Sequence, residues 1–156
     1  DLSGLVRTVS RTVPLDWLDY NGHMNEARYL QAFGDATDRM MEIVGCDAEY
    51  IASGGSYFTA ETHIRHIDEV SAGAEITVDT QVVLGAGKKM HLFHFMRASD
   101  GRLLATGEHM LIHVSLETRK AAPPALHIEE KLVAIAKAHE ALPVPEGMGR
   151  FVGQGR

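Results

Sequence analysis

One long helical segment, 26–44, is followed by four strand-like segments in succession, and that order leaves few architectures open. In the helical segment Leu30, Phe33, Met40, Met41 and Val44 recur at spacings that place them on one face, so Met40 and Met41 read as core. Asn25 stands where an N-cap belongs, Glu26 suits the positive end of the helix dipole, and Gly45 is a stop signal. The four segments run over 56–68, 74–84, 88–98 and 102–116, with reversals at Ala72-Gly73, Gly85-Ala-Gly87 and Ser99-Asp-Gly101. In the first, alternation assigns Phe58, Ala60, Thr62 and Ile64 to one face and Glu61, His63 and Arg65 to the other. In the second, Ile76, Val78, Val82 and Leu84 form the apolar set. A β-branched stretch at 5–13 ahead of Pro14 predicts one more strand, and 128–141 a shorter helix. The expected fold class is α+β: a five-stranded antiparallel sheet with its helices on one face, in one domain over 1–142. A Pro- and Gly-rich segment, 143–156, is expected to be loosely ordered. The sheet edges would stay open, which predicts a homodimer or higher homo-oligomer.

Chemistry concentrates just before the long helix, in Asp16-Trp-Leu-Asp-Tyr-Asn-Gly-His-Met-Asn25. A helix start is a row of unpaired N–H groups suited to negative charge or to a developing oxyanion. A carboxylate placed ahead of it, Asp19, suggests acyl chemistry; read from the residues alone, the same run could equally be a capped helix behind a polar loop. Asp16 is the rival acid and reads as a solvated turn residue. His23 could orient Asp19, contact a substrate or satisfy loop carbonyls.

Bulk properties exclude several classes. A net charge of -6 argues against nucleic-acid binding. Cys46 is the only cysteine, which rules out a disulfide framework or a cysteine zinc cluster and points to a cytoplasmic setting. No apolar run is long enough to span a membrane. The nine histidines do not predict a metal site. His63 and His66, like His91 and His94, point to opposite strand faces, and His109 and His113 lie about 13 Å apart at strand rise.

The pattern Asp19-x-x-Gly22-His23-x-Asn25, with Tyr29-Leu30 inside the helix, resembles the hot-dog-fold acyl-CoA thioesterases of the 4-hydroxybenzoyl-CoA thioesterase-like group. The segments Glu61–Glu69, Gly107–His113 and Arg119–Pro124 are most similar to betainyl-CoA thioesterases of carnitine breakdown, which also occur fused to a carnitine dehydrogenase. The resemblance implies a sheet wrapped around the long helix and hydrolysis of a small acyl-CoA. CoA would enter as part of the substrate, without a separate cofactor. It further implies Asp19 as nucleophile or general base, and backbone N–H groups near Glu26 and Ala27 polarising the thioester carbonyl. Asn25 would support that helix start, and the active sites would lie at a dimer interface. The His-Met-Asn after the glycine departs from the hydroxybenzoyl enzymes and leaves nucleophile and base both open.

For a quaternary ammonium acyl group, Trp17 and Tyr20 are the candidate aromatic faces and Glu61 and His63 candidate pocket residues; core packing explains Trp17 equally well. Lys88, Lys89, Arg119 and Lys120 are candidates for the CoA phosphates. A thioesterase for another short, medium or aromatic acyl-CoA and a non-catalytic acyl-CoA-binding module are the alternatives.

Overall fold

The computed structural model describes residues 1–154. The chain runs β1 (Val6–Thr12), α1 (Glu26–Val44), α2 (Ala48–Ala52), β2 (Gly55–His66), β3 (Glu75–Ala86), β4 (Lys89–Ala98), β5 (Leu103–Ser115) and α3 (Leu126–His139). The strands form one antiparallel sheet in the order β1-β3-β4-β5-β2. It is the hot-dog arrangement, with α1 held against the sheet by Ala32, Phe33, Ala36 and Met40, all fully buried. Gly45 ends α1 in the left-handed conformation (φ 103°), donating its N–H to the last-turn carbonyls, as its lack of a Cβ permits. The short α2 and a 3-10 turn over Leu15–Trp17 were not legible as helices, because neither is long enough to show a period.

Two bulges alter the faces that alternation predicts. Thr59 pairs with Leu111 but Glu61 pairs with Met110, so Ala60 is an extra residue in β2. Phe58, opposite Ile112, therefore lies on the outer face with Glu61 and His63, not with Thr62 and Ile64 as expected. The shift between Val82 and Leu84 in β3 likewise turns Leu84 outward, 41% exposed, while Val82 stays in the core. Gly85 then faces α3, where a Cβ would sit 2.5 Å from Leu132.

In the 143–156 segment, the described residues cross the outer face. Gln81 donates to the Pro143 carbonyl at 3.2 Å, Arg65 to that of Glu146 at 3.3 Å, and the Gly149 N–H to Glu108 at 2.7 Å. The other Glu108 oxygen lies 2.7 Å from His91 Nε2.

A polar seam runs through the core beneath α1. His94 bridges Thr80 (2.7 Å) and Thr37 (2.9 Å), and His109 packs edge-on against it at 4.9 Å. His113 lies between the Tyr50 hydroxyl and the Ala122 carbonyl, so its Nδ1 donates and its Nε2 accepts. Burial, with the neighbouring His109, pushes His94 well below the usual imidazole value; burial takes His109 down to about 4 and also lowers His113. Because these rings are neutral in the fold, the unfolded chain binds more protons once pH drops below about 6.5. The His109 contribution is therefore complete above that value and declines down to its folded pKa. At about pH 5 that ring alone is expected to cost about 2 kcal/mol. Urea unfolding midpoints at about pH 7.5 and about pH 5 check this; equal midpoints would contradict it.

Candidate active site

The segment ahead of α1 folds as a small hairpin stitched to the β2–β3 connection. Leu18 bridges Met24, the Asp19 N–H donates to the His23 carbonyl (2.8 Å), and the Asn25 N–H donates to that of Trp17 (2.8 Å). Met24 donates to the Val70 carbonyl (2.9 Å) and His23 bridges Ser71, so two distant stretches of sequence fix one loop. Gly22 turns the hairpin at φ 79°.

Within that turn Asp19 Oδ1 accepts from the N–H groups of Asn21 (2.8 Å) and His23 (3.2 Å). Its Oδ2 has no hydrogen-bond partner among the described residues. At the start of α1 the Asn25 carbonyl accepts from the Arg28 N–H, while those of Glu26 and Ala27 have no acceptor among the described residues. Asn25 holds the N-cap position with extended backbone, but its side chain makes no capping hydrogen bond. The expected side-chain cap is thus corrected: backbone bonds on both sides of Asn25 hold the helix start, and its first amides stay open.

A cavity of about 340 Å³ opens here, lined by Asp19, His23, Met24, Glu26, Tyr29, and residues 66–69, which are His66, Ile67, Asp68 and Glu69. His23 Nδ1 is 3.4 Å from Glu69 Oε2. Tyr29 is buried, its ring edge-on to His66 at 4.9 Å. Sequence reasoning brought Asp19, His23 and Glu26 to this point. It missed Tyr29, His66, Asp68 and Glu69 as wall residues, although Tyr29 belongs to the matched pattern and the rest to the segment quoted for the resemblance.

The other candidates lie elsewhere. Trp17 is in the core, 3% exposed, with the Arg11 guanidinium 3.9 Å and that of Arg28 5.5 Å from its ring centre. Cations of the chain itself thus already stand over it, and Tyr20 projects wholly into solvent. The two therefore form no aromatic cage in this chain, contrary to expectation. Glu61 and His63 line a separate cavity on the outer face, with His91, Glu108 and Phe151. Both keep the polar face that alternation assigns them, and that outer face of β2 carries them away from the Asp19 cavity.

The backbones of Lys88, Lys89, Arg119 and Lys120 meet at one end of β5. Lys89 pairs with Ile112, the Lys88 carbonyl accepts from the His113 N–H, the Arg119 N–H donates to the Ser115 carbonyl, and the Lys120 carbonyl accepts from the Ser115 N–H. They occupy the opposite end of the sheet from the Asp19 cavity, whose β2 end pairs at Ala105. Along β5 that separation is roughly 23 Å. Among the described residues no three His, Cys, Asp or Glu side chains converge as a metal ion would need.

Residues 13–148 match the model of the thioesterase-like superfamily. An L-carnitine dehydrogenase/betainyl-CoA thioesterase of Ruegeria pomeroyi is 62% identical over 97% of this chain and 31% of its own length. The chain thus spans about a third of that relative. A betainyl-CoA thioesterase of Pseudomonas aeruginosa is 41% identical over 97% of both chains. Among solved structures, a Staphylococcus aureus hypothetical protein in complex with CoA superposes with a TM-score of 0.89, at 26% identity over 95% of this chain and 94% of that one.

Proposed function

The chain belongs to the thioesterase-like superfamily, and from that premise we propose that it hydrolyses betainyl-CoA to betaine and free CoA. One observation carries the reading: an acid with an unpartnered oxygen, Asp19 Oδ2, lines the same cavity as the first residue of a helix whose leading amides are open. A thioester carbonyl is electrophilic and its thiolate leaves without strong acid help, so one carboxylate and one oxyanion site suffice. Asp19 Oδ2 takes the proton of the attacking water, or attacks the carbonyl itself, expelling the CoA thiolate to leave an acyl-aspartyl anhydride that water then cleaves. The N–H groups of Glu26 and Ala27 receive the negative oxygen. His23, held against Glu69, lies beside the reacting group. The names of the relatives from Ruegeria and Pseudomonas support the betainyl group in particular.

The working unit in this proposal is a homodimer paired along β2, whose outer edge has no neighbouring strand in the sheet. Antiparallel pairing of two such edges sets the His66 end of one copy beside the Gly55 end of the other. It would bring one copy's Lys88, Lys89, Arg119 and Lys120 toward the other's Asp19 cavity, where the CoA phosphates need cations. No helix of the described residues is long and apolar enough to cross a membrane. The buried, unpaired thiol of Cys46 fits the proposed cytoplasmic setting. A fused dehydrogenase, as in the Ruegeria relative's name, is the proposed context of the whole protein.

The test is thiol release from a panel of CoA thioesters: betainyl, acetyl, hexanoyl and benzoyl. The highest kcat/KM is expected for betainyl-CoA. A higher value for another member would reassign the substrate, and release from none would leave an acyl-CoA-binding module.

A further inference from the structure

Four carboxylates wall the Asp19 cavity, those of Asp19, Glu26, Asp68 and Glu69, and among the described residues no lysine or arginine lines it. They differ in what they already hold. Asp68 is engaged on both oxygens, by Arg102 at 2.7 Å and by the Glu69 N–H at 2.8 Å. Asp19 gives one oxygen to its own turn. The Glu69 carboxylate meets only the edge of His23, at 3.4 Å, and its side chain is 69% exposed.

Tyr29 lines the same cavity, 4% exposed, and its hydroxyl donates to the Asp68 carbonyl at 3.4 Å. Burial raises the phenol pKa first, and the charges of Glu69, Asp68 and Asp19 add to it in that order. Three of the carboxylates therefore line one cavity with this buried ring.

A quaternary ammonium has charge but no N–H to donate. Hydrogen bonds cannot select it; a carboxylate at contact distance and an aromatic surface can. Resting on the thioesterase reading of this same cavity, we propose that Glu69, in the cavity that the Tyr29 ring also lines, selects a cationic acyl group over a neutral one of equal shape. This transfers to Glu69 and Tyr29 the role that sequence reasoning gave to Trp17, Tyr20 and Glu61. The loop itself is tied by backbone bonds at Val70 and Ser71, so the Glu69 side chain can change without releasing it.

The experiment compares betainyl-CoA with tert-butylacetyl-CoA, in which carbon replaces the charged nitrogen. The wild-type chain is expected to prefer the cationic substrate in kcat/KM. Glu69→Gln is expected to shrink that preference up to about tenfold, equivalent to about 1.4 kcal/mol. Glu69→Lys should shrink it further. A preference that survives both variants would overturn the role of Glu69 while leaving hydrolysis intact. Equal losses on both substrates would also overturn it, since a group serving chemistry or folding does not distinguish them. If the wild type released thiol from neither, the thioesterase reading would fall and this proposal with it.

Discussion

Asp19→Asn is expected to lower kcat for thioester hydrolysis by roughly 10³-fold while leaving the unfolding midpoint and CoA binding close to those of the parent. The asparagine keeps an oxygen where Oδ1 now accepts the N–H groups of Asn21 and His23, so the hairpin retains both bonds. What disappears is the negative oxygen on the cavity side, and with it both the base and the nucleophile. Asp19→Ala would confound the two effects by removing the turn acceptor as well. Asp16, in the first turn of the 3-10 segment, is the control: Asp16→Asn should stay within about twofold of the parent. Steady-state thiol release, with thermal unfolding of each variant, reads all three. Substantial turnover by a folded Asp19→Asn would remove Asp19 from the chemistry.

The limits of the sequence reading follow from which signals are periodic. The apolar positions of α1 repeat over several turns, and four strands in succession are marked off by glycine turns, so the sheet and its central helix could be placed to within a few residues. A bulge is a single inserted residue with no composition of its own. Ala60 therefore misled the facing of Phe58, and the same kind of shift misled Leu84. The site divides along the same line. Asp19, His23 and Glu26 are contiguous and visible as a pattern, whereas Asp68 and Glu69 arrive from a connection more than forty residues away through backbone bonds that no side-chain spacing announces. Trp17 shows the converse. An aromatic residue beside a candidate acid suggests a binding face, but Arg11 and Arg28, from separate elements, already cover it.

The second large effect is expected at Phe33, where fold and site meet. Phe33 is fully buried at the middle of the α1 face, stacked on His94 at 5.7 Å and edge-on to His109 at 6.2 Å. It sits in a notch made by Gly107: a Cβ there would lie 2.8 Å from the Phe33 ring, closer than real contacts allow. Phe33→Ala should therefore destabilise the chain by about 3–5 kcal/mol, a large part of the stability of an ordinary domain. In urea it should lower the midpoint with little change in slope. Gly107→Val fills the notch from the sheet side and is expected to cost about 1–3 kcal/mol by overpacking. The two losses should differ in their effect on rate. The cavity left by Phe33→Ala lets α1 stay seated, whereas the valine presses the helix off the sheet and displaces the amides at Glu26 and Ala27 from Asp19. Gly107→Val should therefore lose kcat under conditions where it is still folded, and a folded Gly107→Val of undiminished kcat would show that the seat of α1 and the geometry of its first turn are independent.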